Sequence, residues 1–86
     1  MKRYLVLAMR RPDCDPAYVQ PHKRYLEELR AQGRLALAGP FGEGSPAGGA
    51  YLLLAADREE ALSLVHRDPA HTSGGWELTV HEWLAQ

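Results

Sequence analysis

The sequence predicts a ferredoxin-like α+β fold, an antiparallel four-stranded sheet with both helices on one face. Three observations lead there. Hydrophobic periodicity follows the order strand, helix, strand, strand, helix, strand. Proline, glycine and aspartate clusters separate the segments. The 86 residues, 45% hydrophobic and 24% charged, suit one small globular domain spanning 1–86. Right-handed crossovers then put the first and third strands in the centre of the sheet.

Each element has a local reason. Tyr4–Met9 is a short apolar run and reads as a buried strand. Arg10 to Pro16 is a loop by its prolines and aspartates, with a short preliminary turn from Pro16 to Gln20. A helix follows with Pro21 in its first turn, where a missing N–H costs nothing, and ends at Gly33. Tyr18, His22, Tyr25, Leu26 and Leu29 share one face of it at helical spacing. Arg34–Phe41 and Ala50–Ala56 read as strands joined by a hairpin loop from Gly42 to Gly49. Asp57, with Glu60 three residues on, starts a second helix. Asp68-Pro69 stops it, because proline disfavours helical backbone at the preceding residue. The last strand runs from Trp76 to about Trp83, after a loop over Ala70–Gly75.

Composition excludes several functions. Ten basic and eleven acidic residues give a formal charge of −1 and no polybasic run, which argues against nucleic acid as a partner. The single cysteine, Cys14, forms no internal disulfide and no multi-thiolate zinc site. His66 and His71 lack a familiar metal spacing, so no metal is expected, and any enzyme here is expected to work without a cofactor. The apolar stretch near the N-terminus is too short to span a bilayer. Arg10-Arg11 stands where a signal peptide would need small residues, so the chain reads as cytoplasmic and not membrane-bound.

Strands one and three are apolar on both faces, although two helices cover only one face. Leu5, Leu7 and Met9 alternate with Tyr4, Val6 and Ala8, and Leu52 and Leu54 alternate with Tyr51 and Leu53. An antiparallel sheet with one wet face should alternate apolar and polar residues. A second copy packed face to face, in a homodimer or higher homo-oligomer, would cover the surplus.

Topology brings a histidine and a carboxylate together. Helix one starts, and helix two ends, at the same end of the sheet. His22 and Asp68, forty-six positions apart, therefore meet there, beside Arg10 and the hairpin loop. In such a pair the carboxylate holds one ring N–H and leaves the other nitrogen to move a proton. A carboxylate is electrostatically misplaced at a helix C-terminus, so Asp68 has a role other than helix stability. Tyr18 and His71 are candidates for the rim of a small-molecule pocket. The rival reading is a ligand-binding or purely structural oligomeric module in which the pair only fixes packing.

The string His22-Lys23-Arg24-Tyr25-Leu26, then Gly33-Arg34-Leu35 and Gly39-Pro40, then Asp68-Pro69 with Gly74 six positions after Asp68, resembles the YciI-like (YCII-related) family. That family belongs to the dimeric α+β barrel superfamily, beside muconolactone isomerases. The resemblance implies a ferredoxin-like protomer, a homodimer or larger assembly, and a His–Asp site mapping onto His22 and Asp68. It also implies proton transfer, as isomerisation or elimination, on a small cyclic acid or phenol. Arg10, Tyr18, Gly39, Pro40 and His71 are the expected ligand contacts. The chain departs from the family pattern in having His71 after Asp-Pro, where an apolar residue is common, and in its short glycine-rich hairpin.

Overall fold

A computed structural model describes residues 1–12 and 16–86. Cys14 and the middle of the loop expected over Arg10–Pro16 lie outside the described residues. The elements are β1 (Lys2–Arg10), a 3-10 turn (Pro16–Tyr18), α1 (Val19–Ala31), β2 (Leu35–Pro40), β3 (Ala47–Ala55), α2 (Arg58–His66), α3 (Pro69–Thr72) and β4 (Trp76–Glu82). The sheet order is β2-β3-β1-β4, antiparallel throughout, so the central strands are β1 and β3 as the crossover argument requires.

Helix ends follow their sequence signals. Gly33 adopts φ 74°, and the N–H groups of Arg34 and Gly33 return to the carbonyls of Leu29 and Arg30. That double return closes α1 as a Schellman motif. Asp57 caps α2 by accepting the Glu60 N–H at 2.9 Å. Glu60 in turn reaches the Ala56 N–H and the Arg34 guanidinium.

Strand ends shift by a few residues from the sequence reading, and two differences bear on the site. Strand β3 begins at Ala47, so Gly48 and Gly49 lie inside it, Gly49 paired with Ala8 and Pro40 and Gly48 at a bulge, and the hairpin loop is shorter than Gly42–Gly49. The second difference is α3. Asp68-Pro69 ends α2, but it also opens a new helical turn, with Asp68 at the N-cap and Pro69 in the first position. The carboxylate is therefore not misplaced. It stands at the positive end of α3, accepting the Ala70 N–H at 2.9 Å.

Alternation along the strands separates two faces. Tyr4, Val6, Ala8, Tyr51, Leu53 and Ala55 are buried beneath the helices, against Leu26, Leu29, Ala61, Leu64 and Val65. Full burial of a Leu or Val side chain contributes roughly 1.5–3 kcal/mol, so this layer is the main source of stability. The opposite face carries Leu5, Leu7, Met9, Leu37, Leu52 and Leu54, paired across the strands as Leu5 with Leu52 and Leu37 with Leu52. No helix covers it. Among the described residues, no helix is long and apolar enough to cross a membrane.

Candidate active site at the upper end of the sheet

The site is assembled from the ends of α1, α2, α3 and the central strands. His22 lies one turn into α1, and its Nδ1 is 2.7 Å from Asp68 Oδ1 and 2.9 Å from Oδ2. Asp68 is fully buried, whereas the His22 side chain keeps 18% of its surface exposed. An isolated buried carboxylate is prohibitively costly, so its donors decide whether the arrangement is stable. It has three: the His22 ring, the Tyr51 hydroxyl on Oδ2 at 3.0 Å, and the Ala70 N–H on Oδ1. A carboxylate only accepts, so the tautomer that satisfies this contact carries its proton on Nδ1. The other ring nitrogen, Nε2, makes no hydrogen bond among the described residues.

Tyr51 is a member of the site that sequence reasoning placed only on a strand face. Burial first, then the Asp68 charge and the hydrogen bond to it, raise its pKa far above the usual tyrosine value of 10.0. The phenol therefore stays a donor at any ordinary pH. The signal was present in principle, because a buried tyrosine hydroxyl must find an acceptor and Asp68 was the carboxylate already assigned to this end. Tyr25 makes a related tie one turn further along α1, donating to the Leu64 carbonyl at 2.6 Å. Burial raises its pKa as well, with Arg67 partly opposing.

Trp76, at the start of β4, is the second missed member. Its ring stacks on His22 at 6.3 Å with planes 24° apart, and the Arg10 guanidinium lies over it at 5.4 Å. Tyr18 meets the same ring edge-on at 6.5 Å. Two glycines make this cluster physically possible. A Cβ on Gly48 would come within 2.5 Å of the Trp76 ring, and one on Gly75 would collide with the Tyr18 hydroxyl.

These residues line a cavity of about 590 Å³ between α1 and the sheet. Its walls include His22, Arg10, Tyr18, Gly39 and Pro40, so five expected site residues share one space, with Asp68 buried directly behind His22. His71 is not among them. It is exposed on α3 and stacks on His66 at 4.7 Å, outside the cavity. The reason is α3 itself: the helical turn carries residue 71 round to the outer surface, where a loop could have brought it inward. A shallower groove of about 670 Å³ lies beside α2, around the Arg34–Glu60 ion pair, and contains no histidine. Among the described residues no group of three or more His, Cys, Asp or Glu could hold a metal ion.

Comparison with known proteins agrees with this architecture. The YCII-related domain model matches residues 2–84. The uncharacterized protein YjpA of Bacillus subtilis (strain 168) is 41% identical over 83 residues, covering 96% of this chain and 95% of its own length. Among solved structures, 5-chloro-2-hydroxyhydroquinone dehydrochlorinase from Burkholderia phenoliruptrix, in complex with 2,5-dihydroxybenzoquinone, superposes with a TM-score of 0.78. It is 24% identical, over 98% of this chain and 95% of the other. Muconolactone isomerase gives a TM-score of 0.71 at 16% identity, over 98% and 90% of the two chains. At these identities the two enzymes establish the shared fold.

Proposed function

This chain belongs to the YCII-related domain family, and from that premise we propose that it is a small-molecule enzyme in which His22 moves a proton and Asp68 orients it. The observation that carries the reading is the 2.7 Å contact from a buried, triply bonded carboxylate to a histidine on a cavity wall. Asp68 fixes the tautomer, so Nε2 is the atom offered to a substrate. When Nε2 takes a proton from a substrate carbon, the new imidazolium sits against a full negative charge that needs no solvent reorganisation. The C–H electron pair then forms a double bond. For isomerisation the adjacent π bond of the substrate gives way, its pair moving to its far atom, and His22 returns the proton there; for elimination a group on the adjacent carbon leaves with its own pair. The substrate class is a small cyclic acid or phenol, in keeping with the cavity's size and with the dehydrochlorinase and the isomerase that share the fold.

Assembly is part of the proposal. A second copy packs its open sheet face against Leu5, Leu7, Leu52 and Leu54, and solution scattering should return the mass of two chains or more. Residues 1–86 act as one YCII-related domain.

The test is exchange of substrate C–H for deuterium, followed by NMR on a panel of cyclic keto acids and lactones. His22→Ala should remain folded and lose about a hundredfold to ten-thousandfold of the exchange rate. Exchange that survives the substitution unchanged would reject the mechanism. A second reading, a binding or structural module, is favoured by one observation: the pair ties α1 to the α2–α3 junction whether or not it reacts. A panel on which the native protein exchanges nothing would support that reading.

A further inference from the structure

We propose that the cavity recognises a small planar carboxylate, with Arg10 as its anchor. The inference shares the cavity of the proposed function, although it requires no turnover there. Three cationic side chains, Arg10, Lys23 and Arg30, and one carboxylate, Glu27, border the space. Glu27 lies 3.5 Å from Arg30, so these two largely cancel. Arg10 and Lys23 have no ion-pair partner among the described residues. Among the described residues that line the cavity, cationic side chains outnumber carboxylates three to one.

Arg10 is also held in place. It is the last residue of β1 and pairs across the sheet with Trp76. That register lays the guanidinium over the indole, a cation–π contact, and its N–H groups make no side-chain hydrogen bond among the described residues. Gly48 keeps the arrangement open, since a Cβ there would press on the Trp76 ring and come within 3.2 Å of Arg10 Cγ. A planar fork matches two oxygens of a carboxylate, whereas a phenol offers one. The same indole lies 6.3 Å from the His22 ring, and Arg10 and His22 line one cavity, so an acid group on Arg10 places the rest of a small ring near the histidine.

Isothermal titration calorimetry with benzoate, its neutral isostere benzamide, and phenol tests this. Benzoate should bind at least tenfold more tightly than either neutral probe, with the gap narrowing as ionic strength rises. Arg10→Gln should remove at least tenfold of benzoate affinity and leave benzamide unchanged, with Arg10→Lys between the two. Unchanged thermal unfolding of both variants would show that the fold is intact. Equal affinity for benzoate and benzamide, no binding of benzoate at all, or a benzoate preference that survives Arg10→Gln would each overturn the proposal. His22→Ala should keep the benzoate preference. Anion selectivity found together with no proton exchange would thus sink the catalytic reading while leaving this one standing.

Discussion

The two faces of this sheet solve opposite problems. Beneath the helices lies a fully buried charge, Asp68, met by a ring, a phenol and a backbone amide. On the open side lie aliphatic side chains with no helix over them, from Leu52, packed down to 7% exposure among its neighbours, to Leu37 at 67%. The covered face gathers three donors on one carboxylate. The open face offers mainly apolar area, edged by Glu77, Thr79 and His81 of β4. Polar groups demand specific partners and can build chemistry, whereas bare aliphatic area asks only to be removed from water and so builds assemblies.

The sharpest way to break the contrast is Asp68→Ala. It strands the Tyr51 hydroxyl and the Ala70 N–H and removes the α3 cap, for a cost of about 3 kcal/mol. In a domain this small that corresponds to a melting temperature lower by roughly 10–20 °C, read by calorimetry. A loss under about 1 kcal/mol would mean that the covered face does not depend on its charge.

Leu7→Asp probes the other face. A charge on the uncovered strand should weaken self-association by about a hundredfold, equivalent to roughly 2.7 kcal/mol, and leave the folded protomer standing. Sedimentation velocity on native and variant protein distinguishes the outcomes; identical profiles would remove the case for packing through this face.

Alkaline pH sharpens the comparison with a smaller effect. The pKa values of Tyr51 and Tyr25 are raised above 10.0 in the folded chain. Below about pH 10 both folded and unfolded chains hold these protons, and the full contribution is present. Above it the unfolded chain loses them first, so stability falls as pH rises, by at most about 1.4 kcal/mol per pH unit for each tyrosine. Urea unfolding across this range should show a shallower slope in Tyr51→Phe. Smallest of all, Glu27→Gln at the exposed pair with Arg30 should change stability by about 0.5 kcal/mol or less in the same assay.

Much of this was legible in the residues, for identifiable reasons. The central position of β1 and β3 followed from the handedness of crossovers and from runs apolar on both sides, such as Leu52-Leu53-Leu54. The meeting of His22 with Asp68 followed from the same topology. What stayed hidden was short or ambiguous. A helix of four residues, α3, has no periodicity to detect, and Asp-Pro is both a stop for one helix and a start for the next. Tyr51 was masked by its apolar neighbours, since a strand pattern records its ring and not its hydroxyl. Trp76 was placed on a strand face, and only the register against Arg10 carries it into the cavity wall.

The closeness of Trp76 to a guanidinium, at 5.4 Å, and to an imidazole, at 6.3 Å, gives the molecule a built-in optical gauge. A charged imidazole ring quenches neighbouring indole emission far more than a neutral one does. With the exposed Trp83 replaced by phenylalanine, the fluorescence of the remaining indole would follow proton arrival and departure on the neighbouring ring without any added dye.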